Sequence, residues 1–413
     1  MGNEMASSLV EAKKMHFRVL DSWRGVAALL VALFHLNLYS AIYSLDFIRN
    51  AYLFVDFFFV LSGFVITYSY ADRLETVDDL GSFAARRFGR LWPLHAVVLL
   101  AFVAAESAKA VLAVRGASFY LPPFTGTNSL NTIPMNLVFG QSFGFVQHLT
   151  WNPPSWSICA EFWTYLVFAA VLVFSSTWLA RSRFAATGLI VVILAGSVSI
   201  LVLFGPHDID ASYDLGFIRC LYGFLVGHLT YRLFQAASNA KFDARLLEWA
   251  MLIVIVTYVS LAGRSEYSFF APLVFAAVVF VFAFEAGSVS RLMSNKVNDW
   301  LGKVSYSIYM WQAFIIFNFV DRPVSIVEKI TGRILTTTEG VSSALGGEAG
   351  KLIVLGGHVL PILVTLLFAA VLVAVASVSY YLIEQPGQKL FARLARSRWR
   401  NFPSPVRSAG IVQ

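Results

Sequence analysis

Apolar residues in this chain fall in long, nearly unbroken runs, and the polar residues gather between them instead of alternating with them. A helix that crosses the hydrocarbon core of a bilayer needs roughly 20 mainly apolar residues. Runs of that kind occupy 19–39, 51–70, 91–114, 159–176, 184–204, 215–234, 247–263, 268–285, 305–321 and 352–383. The pattern predicts an all-α integral membrane protein with about ten transmembrane helices. The last run is too long for one straight crossing, and its end near Tyr380 and Glu384 is expected to continue as helix past the headgroups. Composition agrees: 58% of the 413 residues are hydrophobic, 13% are charged and mean hydropathy is +0.70, far from the values of water-soluble domains.

With an even number of crossings both termini share one side. The segments on that side hold Lys13, Lys14 and Arg18, then Arg86, Arg87 and Arg90, Arg181 and Arg183, Lys241 and Arg245, Lys296 and Lys303, and an arginine-rich end. The opposite loops are poor in positive charge, and one, GPHDIDASYD, is acidic. The positive-inside rule therefore places both termini in the cytoplasm. Residues 1–18 read as a cytoplasmic segment, 19–388 as one transmembrane domain and 389–413 as a basic cytoplasmic tail. The polar start has no cleavage pattern after it, so the first span is expected to be retained with no signal peptide. The net charge of +7 is membrane-facing charge and not a nucleic-acid footprint. Two opposite-side segments, 115–158 with its prolines and aromatics and 322–351 with its Thr, Ser and Gly, are long enough to cover a site, the second as flexible cover. Cys159 and Cys220 exclude a disulfide framework and a cysteine-based metal site, leaving a single bridge open.

Ionisable side chains within apolar spans are functional candidates by default. Arg24 and His35 lie on the first span, where eleven residues at about 100° each bring them to within roughly 20° on one face, separated by about 16 Å along the axis. A slender chain fits along that face. Arg24 snorkelling to the interface and His35 packing as a satisfied core residue are the structural alternatives. Asp56, on the inward-running second span, falls near the depth of His35, and a carboxylate there would fix the tautomer of the ring and raise its basicity; pairing with an arginine is the other reading. Arg87 and Arg90, three apart in AARRFGRLWP, share a helix side and suit phosphate, although topology alone also yields a basic cluster there. Pro153 and Pro154 set a rigid turn before the fourth span, bringing Trp156 and Glu161 to its outer end, where Trp156 is either an interfacial anchor or a platform. Arg219 enters from the same side and balances Glu161 or Asp56.

Taken in order, these stretches resemble the acyltransferase-3 family of bacterial membrane O-acetyltransferases. LDSWRGVAALLVALFH is similar to its opening motif, FFFVLSGFVI to its second-helix motif, RRFGRLWP to its Arg-x-x-Arg loop, and PPSW with SICAEFW to its Pro-Pro-x-Trp segment and the Glu after it. LGKVSYSIYMWQ and YYLIEQPGQ resemble its ninth-span and last-helix motifs, with one departure: many members have His where this chain has Gln312. The resemblance covers nearly the whole chain and implies the standalone form, without a fused hydrolase-like domain. It also implies a multi-pass protein of the cell inner membrane, acetyl-CoA as cytoplasmic acyl donor and co-substrate, no metal, and a carbohydrate or glycolipid acceptor at the outer side.

On this reading Arg24, Arg87 and Arg90 hold the donor, His35 serves as general base or transient acyl carrier, Asp56 and Glu161 complete the catalytic group, and Trp156 and Arg219 meet the acceptor. The alternative is a transporter or flippase of a glycan or lipid-linked precursor, since buried charges also mark transport pathways. The chain shows no internal repeat of the kind many transporters carry.

Overall fold

The computed structural model describes residues 15–398 apart from 118, 120, 179–182, 238–243 and 338–351. Helices follow one another almost without interruption: α1 (Arg18–His35), α2 (Asp46–Arg49), α3 (Phe54–Tyr70), α4 (Val77–Val114), α5 (Ile133–Leu137), α6 (Ser155–Trp178), α7 (Arg183–Phe204) and α8 (Gly216–Ala237). Then come α9 (Ala244–Ala262), α10 (Ala271–Phe282), α11 (Ser288–Met293), α12 (Lys296–Ile315), α13 (Arg322–Thr331), α14 (Val359–Ser379) and α15 (Gln385–Arg398). Two short strands, β1 (Thr336–Thr337) and β2 (Leu352–Ile353), pair antiparallel.

Among the described residues, nine of the ten apolar runs hold a helix of 17 residues or more, and 268–285 holds the shorter α10 of 12 residues. Six segments are long and apolar enough to cross a bilayer by length and composition: Ala51–Tyr70, Val77–Val114, Ser155–Ser175, Thr187–Phe204, Arg245–Ala262 and Val359–Arg396. The protein is thus a nearly all-α, multi-pass membrane protein. Leu203, Ile253, Leu261, Leu363 and Leu367 on α7, α9 and α14 are exposed, as lipid-facing side chains must be. Helices α1, α8 and α12 are not among the six because they carry the polar side chains, and they bury them.

The ends of several runs differ from the sequence expectation, for local reasons. The first helix stops at His35, not at 39. Tyr39 N donates to the Ile353 carbonyl and Ile353 N to the Asn37 carbonyl, both at 2.8 Å, so strand pairing claims the backbone of 37–39. Leu352 and Ile353 also pair as strand with Thr336–Thr337, so the last helix starts at Val359 and not at 352. The third long helix begins at Val77, well before 91, because Thr76 and Asp79 form a reciprocal capping box. The last helix does run on past Glu384, through a π-helical turn at Tyr380–Glu384, and residues 389–398 continue as part of α15 against α4. Residues 322–337, read as flexible cover, begin instead with helix α13; 338–351, the beginning of the chain and the end of the basic tail lie outside the described residues.

Two parallel helix pairs position the interior. Helices α1 and α12 run the same way: Arg18 clamps Asp299 with two bonds of 2.7 and 2.6 Å at one end, and His35 neighbours Gln312 at the other. The helices touch through Gly25 and Gly302, and a Cβ on Gly302 would lie 2.5 Å from the Asp21 carbonyl oxygen. Overpacking of this kind costs about 1–3 kcal/mol. Gly302→Ala is therefore expected to lower the thermal unfolding midpoint in lipid discs by several degrees, whereas Gly188→Ala, where a Cβ meets nothing within 4 Å, leaves it in place. In the second pair, α3 with α8, a Cβ on either Gly63 or Gly227 would come within 1.9 Å of a backbone oxygen. Small residues let these backbones approach, as in membrane helix pairs generally.

Candidate functional site

Where α1, α3, α4, α6 and α12 converge they line a partly open cavity. Arg24, Arg87, Arg90 and Glu161 all line it, with Ser62, Tyr165, Ser305, Tyr306 and Tyr309 among apolar neighbours. Three guanidinium groups against one carboxylate make the lining cationic.

Arg24 comes from α1, Arg87 and Arg90 from α4, and Glu161 from α6. Arg24 donates from Nε to Ser305 Oγ at 3.1 Å and from Nη2 to the Gly302 carbonyl at 3.0 Å, and Asp21 Oδ1 lies 3.2 Å from the same Nη2. This is not a snorkelling arginine: α12 fixes it in place. The other Asp21 oxygen meets His16 Nε2 at 3.2 Å, and that hydrogen bond holds the His16 imidazole above its ordinary pKa. Arg87 is buried and donates to the Tyr70 hydroxyl at 3.0 Å, with its guanidinium over the Tyr70, Phe83 and Tyr165 rings. Glu161 accepts hydrogen bonds from Ser62 and Tyr165. The sequence placed Glu161 with the outer residues. Six residues into α6 it lies about 9 Å from the helix start, which carries it down to the arginines.

His35 is buried at the end of α1 and does not line this cavity. Its Nδ1 lies 2.8 Å from the Val31 carbonyl oxygen. A carbonyl only accepts, so Nδ1 carries the proton and Nε2 keeps its lone pair. That is the tautomer of a general base. The sequence expectation gave this orienting role to Asp56, and the structure assigns it to the main chain one turn back. Asp56 instead takes two hydrogen bonds from Arg219, 3.0 Å from Nε and 2.8 Å from Nη2, with both side chains fully buried. Equal depth along two helices says nothing about azimuth, and Arg219 on the parallel α8 faces Asp56 directly.

Arg219 reaches a second carboxylate, Asp210, at 3.0 Å and lies under the Trp156 ring at 5.3 Å. Arg264 extends the array to Asp210 at 2.9 Å and Asp208 at 3.7 Å. Trp156 and Arg219 are thus brought together with each other and with Asp56, away from the cavity lining. Both cysteines are buried free thiols. Among the described residues no group of three or more His, Cys, Asp or Glu could hold a metal ion.

The described residues of the long 115–158 segment are tied to the bundle by side-chain contacts. Glu106 on α4 accepts from the Phe124 amide at 3.1 Å and Asn128 at 3.2 Å, and it meets Lys109 at 3.3 Å and Arg322 of α13 at 3.4 Å. Asn152 donates to the Met310 carbonyl at 3.1 Å, and Tyr309 donates to the Pro154 carbonyl at 3.0 Å, so the Pro-Pro turn is tied to α12. Ser62, Tyr165, Ser305, Tyr309 and Asn152 were not singled out from the sequence. A signal existed in KVSYSIYMWQ, where Ser305, Tyr309 and Gln312 recur at intervals of four and three and so share a face of α12.

The chain is thus a multi-helix membrane bundle with an arginine-lined cavity and a buried histidine on the α1–α12 seam. The acyltransferase domain profile matches residues 17–381, and the chain belongs to the acyltransferase-3 family. The peptidoglycan O-acetyltransferase OatA of Listeria monocytogenes is 25% identical over 318 residues, covering 72% of this chain and 49% of that protein. Protein 2 in picA locus of Rhizobium radiobacter is 42% identical over 90 residues, 22% of this chain and 44% of that one. The chain spans about half the length of these relatives or slightly less. No solved structure matches it.

Proposed function

We propose that the chain moves an acyl group, acetyl, from cytoplasmic acyl-CoA to a hydroxyl of a cell-envelope or exported carbohydrate, within the inner membrane. The observation that carries this reading is the α1–α12 seam, with Arg24 fixed at a cationic cavity at one end and His35 presenting Nε2 at the other. Membership of an acyltransferase family supports the reaction class, and a relative named for O-acetylating peptidoglycan supports a carbohydrate acceptor. Ten crossings with both termini cytoplasmic agree with the parallel packing of α1 on α12 and of α3 on α8. In an alternating path, spans one and nine run the same way, as do spans two and six.

In the proposed reaction the phosphates of the donor lie against Arg24, Arg87 and Arg90, whose forked donors suit them, and the pantetheine arm follows the seam toward His35. The acceptor hydroxyl loses its proton to His35 Nε2 as its oxygen bonds to the thioester carbonyl carbon. The C–S bond then breaks, its electron pair leaves on sulfur, and the proton passes from His35 to give free coenzyme A. Val31 keeps Nδ1–H engaged throughout, so the imidazolium that forms transiently stays oriented.

The test uses full-length protein in lipid discs with acetyl-CoA and an envelope glycan extract. Release of coenzyme A that requires the extract is the expected result, with acetyl ester appearing on the glycan. Absence of measurable acetyl-CoA binding would sink the reading and favour a transporter. For the donor site, losing one charge-assisted phosphate contact costs about 1.5–3 kcal/mol, so Arg90→Gln is expected to weaken acetyl-CoA binding roughly ten- to a hundredfold. Unchanged affinity would remove the arginine cavity from donor binding.

A further inference from the structure

The mechanism above leaves a second set of buried polar atoms unused. Gln312 on α12 is fully buried, and neither its Nε2 nor its Oε1 meets a partner in good hydrogen-bond geometry among the described residues; the His35 ring is the polar group it approaches. Burying a carboxamide with both ends unpaired works against folding, and native proteins seldom keep one without a use for it. Gln312 lies beside the His35 ring, one turn beyond Tyr309, which lines the cavity.

Asn152 adds a third unpaired atom. It is 2% exposed, its Nδ2 is spent on the Met310 carbonyl two residues before Gln312, and its Oδ1 has no partner. The segment that carries it is rigidly held: Ser157 Oγ and Tyr309 Oη lie 2.8 Å apart, and Tyr309 also donates to Pro154. We propose that Gln312 and Asn152 form the acceptor subsite, holding carbohydrate hydroxyls beside His35. This rests on the acyl-transfer reading and names the groups that position its second substrate.

The chemistry of the set selects the ligand class. It offers one amide donor and two carbonyl-type acceptors, with no charge of its own. A hydroxyl both donates and accepts, so a pair of sugar hydroxyls matches these atoms. An anionic group would face two acceptor oxygens, and an ammonium would find no carboxylate among them. Gln312 and Asn152 are positioning residues here, and the proton goes to His35.

Stability and function should respond in opposite directions. Gln312→Met keeps the length and approximate volume of the side chain and removes the unpaired amide. In lipid discs, the variant is expected to unfold at the same temperature as wild type or higher. Its half-saturating concentration of envelope glycan extract should rise at least tenfold, with the half-saturating acetyl-CoA concentration unchanged. If the extract dependence is unchanged while wild type transfers acetyl, the subsite is wrong and the acyl-transfer reading stands. If the unfolding temperature falls and both substrates weaken together, Gln312 is a packing residue and the subsite is equally wrong. If wild type itself releases no coenzyme A with the extract, acyl transfer fails and the subsite falls with it.

Discussion

Replacing His35 with alanine is expected to lower kcat for coenzyme A release by roughly 10²–10⁴-fold, the range a positioned general base supplies, while acetyl-CoA still binds. The tautomer of the His35 ring sets this expectation. Because the Val31 carbonyl holds Nδ1–H at 2.8 Å, the lone pair sits on Nε2 without help from any ionisable neighbour. Removing the ring takes away the base and leaves the arginine cavity as it was. The split between kcat and donor affinity is therefore diagnostic, and it would be measured by single-turnover release alongside equilibrium binding. A trapped acyl-imidazole on wild type would make His35 the carrier of the group instead of the base. Equal release by both proteins in the presence of an active extract would leave His35 with a packing role.

Much of this site was legible in the sequence because membranes penalise idle charge. Arg24, Arg87 and Arg90 stood out, and the fold brings all three to one cavity. The face shared by Arg24 and His35 was likewise readable from helical period alone, and α12 lies along that side. What the period could not give was the partner of each group. Asp56, Glu161 and Arg219 were placed by depth, and depth fixes height in the bundle but not which neighbour a side chain meets. Contacts between α3 and α8 decide that Asp56 belongs to Arg219, and the inward reach of α6 decides that Glu161 belongs with Arg87.

Backbone partners are equally invisible in a sequence, because any residue could supply the carbonyl that Val31 supplies. The ends of helices were misread for a related reason. Residues 36–39 and 352–353 continue the apolar runs, yet Leu38 bridges to Ile353 and Leu352–Ile353 pair as strand with Thr336–Thr337, which only the returning chain could reveal. Gln312 shows the reverse. A change of residue type within a resembling motif pointed at a position that proved to be a buried amide beside His35, with no partner in good hydrogen-bond geometry among the described residues.

Breaking the Asp56–Arg219 pair by removing Arg219 is expected to destabilise the protein by about 3–5 kcal/mol, because Asp56 becomes an uncompensated buried charge. Both side chains are completely buried, so water cannot take over the lost bonds. Arg219→Met strands Asp56 with no other ion-pair partner among the described residues. Asp56→Leu is expected to cost less, because Asp210 still lies 3.0 Å from Arg219 and is partly exposed. The double variant should recover much of the loss, since an apolar pair of similar volume removes the charge together with its desolvation. Thermal unfolding of the four proteins in one disc composition closes the cycle. The same cycle read in activity separates the two roles open to Asp56. If it orients His35, Asp56→Leu lowers kcat sharply and the double variant does not restore it. If it serves Arg219, activity follows the folded fraction and returns with stability. The geometry favours the second result, with the charge array fastening α3, α8 and the 208–214 segment to one another.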